Sequence, residues 1–279
     1  MTEQPAHVVM TSSGVGSYLA AVRVVRQHGP ENVVLLFTDV KGQNPSPHAG
    51  EDADNYRFLS DIERDLAPAR LVRLNGDEDI WAVFKRRRRI GSGYAANCSY
   101  ELKQKPAHRW LEENCPDLDA TTIHVGIDWT EVHRQPSVIR AYAPRPVSFP
   151  MSARPLLDKA QMLVECRRRG LEPPRLYKAG FAHSNCGGFC VKAGKAHFKH
   201  LLEMNPERYR YHEEREQEVR DHLSKDVAIL QSSRRGEKAP LTLRRFREQL
   251  ENQTALFDPF DFGGCGCFVD GEADQEAER

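Results

Sequence analysis

Two groups of residues in this 279-residue chain have the types and spacing that chemistry needs. The first is the run Thr11-Ser-Ser-Gly-Val-Gly-Ser17. It lies between an apolar triplet, Val8–Met10, and a helical repeat of Leu19, Val22 and Arg26. The triplet suits a strand buried on both faces, so the local order is strand, loop, helix. In that order the loop amides and the open N–H groups of the first helical turn point at one spot. The helix dipole favours negative charge there. Ser12, Ser13 and Ser17 supply hydroxyl donors, and Val15 opens the helix. Gly14 and Gly16 let the backbone approach a ligand closely. The chemistry this predicts is anion binding. A Walker A loop is excluded because no Gly-Lys-Ser/Thr closes the run, and Gly-x-Gly-x-x-Gly is absent too. The competing reading is an ordinary strand-to-helix turn.

The second group is the cysteines, seven in all. Cys115 and Cys166 sit at helix ends and read as small apolar side chains. The other five lie in glycine-rich or loop-like settings: Cys98, the pair Cys186 and Cys190 in Asn-Cys-Gly-Gly-Phe-Cys, and Cys265 and Cys267 in Gly-Cys-Gly-Cys-Phe. Neighbouring glycines let backbone fold around a metal centre and turn N–H groups toward its sulfurs. Cys-x3-Cys plus Cys-x-Cys is not the paired Cys-x2-Cys of a zinc ribbon, so an iron–sulfur cluster, 4Fe-4S by ligand number, is the first expectation. Zinc, with His183 nearby, is the runner-up, and plain reduced thiols are the third reading. Cys98, Cys186, Cys190 and one of Cys265 and Cys267 are the expected ligands. The leftover thiol is a candidate nucleophile or sulfur carrier. Seven cysteines with no secretory leader in view fit a reducing, cytoplasmic setting.

The loop resembles the PP-loop, Ser-Gly-Gly-x-Asp-Ser, of ATP pyrophosphatases and phosphoadenylyl-sulfate (PAPS) reductases. Ser12, Gly14 and Ser17 match, Ser13 replaces a glycine and Gly16 replaces the aspartate. Cys98-Ser-x-x-Leu-Lys-x-Lys-Pro106 resembles the Cys/Lys/Pro motif of PAPS and adenylyl-sulfate reductases, with Ser99 where a second cysteine would stand. The stretches Gly126-Ile-Asp-Trp-Thr-Glu-x-His-Arg134 and Asn185–Gly194, with the tail cysteines, are similar to bacterial and phage proteins described as PAPS-reductase-like. The resemblance spans roughly residues 6–195. It implies an adenine nucleotide α-hydrolase-like (HUP-type) fold with a nucleotide across the strand ends. Asp39 and Gly126 would lie near the nucleotide, and the 12–17 loop would hold its phosphates. Lys103 and Arg134 would neutralise the reacting phosphate, and Cys98 would take part in the chemistry. ATP or an adenylylated sulfate is the implied cofactor or substrate, with magnesium as a candidate companion.

These residues need elements to position them. Asn32–Asp39, Ala69–Leu74 and Thr121–Asp128 read as further strands, and Glu51–Leu66, Asp79–Phe84, Cys98 to about Asn114 and Leu156–Arg169 as helices. Alternating strand and helix predicts an α/β fold with a parallel sheet. Lys41–Gly50 reads as a long loop of functional interest and Pro144–Pro155 as an extended connector. A nucleotide-binding domain over 1–175 and a Cys/Gly-rich helical region over 176–279 are expected. The latter holds helices at Ala193–Met204, Pro206–Ser224 and Leu243–Asn252.

Lys plus Arg and Asp plus Glu both number 40, so net charge points to no partner. Basic runs at 85–89, 167–169 and 234–238 suit either solvated helix ends or a polyanion such as nucleic acid. No apolar run is long enough to span a membrane. Three functions follow. The first is ATP-dependent adenylation for sulfur transfer, with a nucleic acid among the acceptors and a sulfur-donor or reductant protein as partner. The second is reduction of an adenylylated sulfate, ranked lower because the Glu-Cys-Gly-[Leu/Ile]-His motif of that family is absent. The third is non-catalytic nucleotide sensing.

Overall fold

The computed structural model describes residues 4–92, 96–234 and 237–263. Five parallel strands form the central sheet: β1 (His7–Thr11), β2 (Val33–Asp39), β3 (Arg70–Asn75), β4 (Thr122–Val125) and β5 (Val147–Ser148), in the spatial order β3-β2-β1-β4-β5. Val9 lies opposite Leu35 on one side and His124 on the other, so β1 is the centre of the sheet. The expected α/β fold with a parallel sheet is therefore present, and its architecture is Rossmann-like.

Side-chain alternation along the strands separates two apolar layers. Val9 and Leu35 face α1 (Val15–His28), α2 (Ala53–Asp65) and α7 (Lys159–Arg168), through residues such as Leu19, Phe58 and Met162. Val8, Met10, Leu36 and Ile123 face α5 (Lys105–Asn114) and α6 (Gln135–Tyr142), through Trp110, Leu111, Val138 and Tyr142. A third cluster joins α3 (Ile80–Arg86) to the later chain. It gathers Trp81 and Phe84 with Phe189, with Phe198 of α9 (Lys195–Met204), with Tyr209 of α10 (Pro206–Leu223) and with Phe246 of α11 (Leu243–Glu251). This core draws on residues from both sides of position 175.

Helix ends follow local chemistry. Asp52 caps α2 by accepting from Asp54 N, and Asp79 caps α3 by accepting from Trp81 N and Ala82 N. Asp158 and Gln161 form a capping box, so α7 starts at Lys159 rather than at Leu156 as expected from its apolar residues. Between α4 (Asn97–Ser99) and α5 the chain makes a π-helical turn over Tyr100–Gln104, a wider winding that periodicity did not suggest. The connector over 144–155 contains the short β5, held against β4. The basic loop expected near 234 belongs, in its described part, to a hairpin of β6 (Leu230–Arg234) and β7 (Glu237–Leu241). The short α8 (Arg175–Lys178) leads into the cysteine segment. Among the described residues no helix is long and apolar enough to cross a membrane.

A candidate phosphate cleft and a cysteine cavity behind it

The chain leaves β1 toward β2 and β3 on one side, while β4 and β5 lie on the other. The crevice outside the strand ends at such a reversal is where open α/β sheets take ligands. A cleft of about 330 Å³ lies there, lined by Ser12, Gly14, Gly16, Ser17, Gly126, Arg134 and others. Its size falls within the range of small-molecule sites, about 300–1,000 Å³.

The loop is braced from within. Ser12 N donates to Ser17 Oγ at 3.1 Å, and Ser17 Oγ donates to the Gly14 carbonyl at 3.0 Å. Ser13 takes a left-handed φ of 54° and is fully buried, its hydroxyl donating to the Ser12 carbonyl. Ser13 and Val15 therefore shape the loop from behind rather than line the cleft. Gly14 caps α1 with no side-chain acceptor, which leaves first-turn N–H groups available to an anion. Gly126 lines the cleft and also has a packing role. A Cβ on it would stand 2.9 Å from Ser17 Cα and 3.0 Å from Ser17 N, so only glycine lets the end of β4 abut the first turn of α1.

The remaining walls come from elsewhere. Arg134 is 13% exposed and pairs with Glu131. Asp128 fixes that turn by accepting from Thr130 N and Thr130 Oγ, at 2.9 and 2.6 Å. Lys159 lies at the rim and makes no ion pair among the described residues. Tyr177, His183 and Asn185 close the far side, and the Tyr177 hydroxyl accepts from Val15 N at 3.4 Å. Asp39 does not line this cleft. It ends β2 with Oδ1 accepting from Lys41 N at 3.0 Å and from the Tyr56 hydroxyl at 2.8 Å.

Three of the expected metal ligands meet in a second compartment. Cys98, Cys186 and Cys190 line one mainly apolar cavity together with Lys103, Val40, Ile80 and Phe189. Lys103 thus belongs with the thiols and not with the phosphate cleft. Its ammonium lies 3.4 Å from Glu51, with side chains 4% and 1% exposed, a buried ion pair. Burial pushes the Cys186 thiol well above its ordinary range, while Lys103 opposes that shift. Among the described residues no three His, Cys, Asp or Glu side chains are gathered closely enough to hold a metal ion. Cys265 and Cys267 lie outside the described residues. Gly263, the last described residue, bridges to Ala193, three positions after Cys190.

The two compartments share a partition. His183 and Asn185 line the cleft, and Cys186 lines the thiol cavity. The turn Asn185–Gly188 carries three successive left-handed residues, Cys186, Gly187 and Gly188. Arg208 of α10 holds it from behind. That guanidinium, 1% exposed, donates to the carbonyls of Gly50 and Cys186 through one nitrogen and of Pro47 through the other. A Cβ on Gly187 would fall 1.5 Å from the same guanidinium. The long 41–50 loop is therefore tied to the cysteine turn. Cys115 and Cys166 are fully buried elsewhere, and burial pushes the Cys166 thiol up to about 12.

Much of the basic surface is internally balanced. Arg86 and Arg87 pair with Glu101, and Lys85 pairs with Glu218. Arg167 and Arg168 pair with Glu172 and Glu165, and Arg169 pairs with Asp65. The third run is only partly described. Sequence reasoning missed Glu51, Tyr177 and Arg208. Only a contact map could have exposed them, since each has a partner 50 or more positions away along the chain.

Fold and cleft together define the class: a Rossmann-like α/β protein whose cleft opens at the reversal of strand order. No protein-family model matches the chain, and no curated protein is significantly similar to it.

Proposed function

We propose that this chain is a nucleotide-binding enzyme of the PP-loop, adenine nucleotide α-hydrolase-like type, close in character to PAPS reductases, which activates an acceptor with ATP for sulfur transfer. The observation that carries the reading is one of placement. A serine/glycine loop faces a cleft at the strand-order reversal, and Cys98 lines a second cavity with Cys186 and Cys190 of the segment that also walls the cleft. In the proposed reaction an acceptor oxygen attacks the α-phosphorus of ATP and the bond to pyrophosphate breaks. A sulfur nucleophile then displaces AMP from the adenylated acceptor. The Ser12–Ser17 loop and the first turn of α1 hold phosphate oxygens through N–H and hydroxyl donors. Arg134 and Lys159 offset charge that grows on the leaving phosphates.

By donor type three sulfurs suit a soft metal, but among the described residues they are not gathered closely enough to hold one as they stand. Cys98, Cys186 and Cys190 would hold an iron–sulfur cluster, with a fourth ligand from Cys265 or Cys267. When bound, such a cluster supplies electron transfer or sulfur handling. The chain's own contribution is to keep that cavity dry and to place Lys103 beside it. Three of the five cations at 85–89 and all three at 167–169 are paired within the chain, which gives a nucleic-acid acceptor little added support, so the acceptor class rests on the resemblance.

Anaerobically purified protein tests the reading. Expected are iron and sulfide that fall when Cys98, Cys186 or Cys190 is changed to Ser but not when Cys115 or Cys166 is. Pyrophosphate release from ATP and nucleotide binding weakened by Ser17→Ala are also expected. Sulfite released from an adenylylated sulfate, with no pyrophosphate from ATP, would instead establish the reductase. Unaltered ATP affinity in Ser17→Ala would remove the basis of the assignment.

A further inference from the structure

We propose that Tyr177 and His183 form the second half of the phosphate site, with His183 donating to an oxygen of a nucleoside polyphosphate whose opposite side rests on the Ser12–Ser17 loop. This deepens the reading of the cleft as a nucleotide site and rests on it. The first observation is a surplus of buried polar atoms on that wall. His183 Nδ1 and Ser184 Oγ are both buried, and neither has a hydrogen-bond partner among the described residues. The whole Ser184 residue is 0% exposed. Buried polar atoms are almost always bonded, and His183 lines the cleft while Ser184 is packed beside it outside the lining, so the unpartnered His183 nitrogen is the one that calls for a ligand there.

The second observation is where this wall stands. A Cβ on Gly14 would lie 3.2 Å from the Tyr177 hydroxyl, 3.6 Å from Ser12 Oγ and 3.9 Å from Ser184 Oγ. Three hydroxyls thus surround the backbone of Gly14, two of them from beyond residue 176. The third is that the wall is held in place by other groups. The Ser184 carbonyl accepts from Asn55 Nδ2 at 2.7 Å, the His183 ring stacks on His197, and His197 Nε2 is 2.7 Å from the Gly188 carbonyl. The backbone and the stacking partner are fixed, and the His183 donor is left for something in the cleft. Arg134 and Lys159 line the same cleft together with Asp128 and Glu131, and Arg134 pairs with Glu131, so Lys159 is the lining cation with no ion pair among the described residues.

The test is isothermal titration of the full chain with ATP, pyrophosphate and AMP, beside thermal melting. His183→Phe keeps an aromatic ring for His197 and removes the donor, and His183→Gln keeps a donor. For His183→Phe the expected result is about a tenfold or greater loss of ATP and pyrophosphate affinity, with AMP less affected and melting little changed. For His183→Gln, affinity should stay within about threefold of the parent. If His183→Phe binds ATP as the parent does while Ser17→Ala does not, the second wall is refuted and the loop reading stands. If both bind ATP normally, the loop reading itself fails. Should His183→Phe not fold, Tyr177→Phe takes its place, and unaltered ATP affinity in that variant overturns the proposal.

Discussion

Gly126 and Gly16 face one another across the join of β4 and α1, yet a methyl group at the two positions should have opposite outcomes. At Gly126 the added carbon would meet Ser17 Cα at 2.9 Å, Ser17 N at 3.0 Å and Gly16 C at 3.1 Å. All three are backbone atoms of a helix packed on the sheet, so none can swing away as a side-chain tip would. Overpacking of this kind costs about 1–3 kcal/mol. For a chain of this size that is a drop of roughly 2–10 °C in melting temperature. At Gly16 the nearest atom is the Gly126 carbonyl oxygen at 3.5 Å, an ordinary contact. Alanine in a helix also gains about 0.5–1 kcal/mol over glycine. Gly16→Ala should therefore melt at or slightly above the parent. Because the relief of strain in Gly126→Ala moves the first turn of α1, that variant should also lose nucleotide affinity. Melting followed by fluorescence, with titration of ATP, measures both. The reasoning is refuted if Gly126→Ala is as stable as the parent, or if Gly16→Ala is the more damaging change.

Other outcomes follow from buried charge and from protonation. At the opposite end of the sheet His124 contacts His7 at 3.1 Å, and His7 stacks on His28. Burial, and then the two neighbouring imidazoles, lower the His124 pKa to about 4. Its neutral form is thus favoured by folding. The associated stability is complete above the ordinary 6.5 and is lost as pH falls toward 4, about 3 kcal/mol in all. Urea titrations at pH 7 and pH 4.5 should show that loss in the parent and a much smaller one in His124→Leu; equal acid sensitivity in both would count against this account. Lys103→Met leaves the Glu51 carboxylate buried without its ammonium, and should cost about 3–5 kcal/mol in urea unfolding. A companion Glu51→Gln change should recover part of the loss, and a cost below about 1 kcal/mol would mean the pair is well hydrated. Gly187→Ala should disturb the cysteine turn, because the Arg208 guanidinium fills the space a Cβ needs. Lower melting temperature and altered labelling of Cys186 are expected, and parent-like labelling would argue against that packing.

Local pattern made part of this legible. The strand, loop and helix over 7–28 could be read because an apolar triplet, a Ser/Gly run and a helical repeat are each short-range signals. Cys98 was matched with Cys186 and Cys190 on residue type and glycine context, and the three do line one cavity. The α6 helix was hidden because Pro136 lies near its start and more prolines follow its end. Pro136 occupies the first turn, where proline is tolerated. The hairpin β6–β7 was hidden by polar residues and by Pro240, on a two-stranded unit with no alternating apolar face. Arg208 lies in a helix rich in charge, Pro206–Leu223, whose composition suggests solvent exposure. Nothing local says that this arginine is sequestered while Arg210, Arg215 and Arg220 of the same helix are not. Lys103 was expected beside phosphate from its motif. Its pairing with Glu51 depends on how the π-helical turn aims it, and residue spacing does not encode that winding.

The turn from Asn185 to Gly188 is a party wall. One surface faces the phosphate cleft and the other carries Cys186, so whatever shifts the turn is felt in both rooms. If occupancy of one side shifts the turn, occupancy of the other biases the first by the same factor, because such coupling is reciprocal. A maleimide reacting with Cys186 would serve as a gauge of cleft occupancy, its rate changing as ATP is added. A rate indifferent to ATP would mean that the wall is too stiff to carry the message.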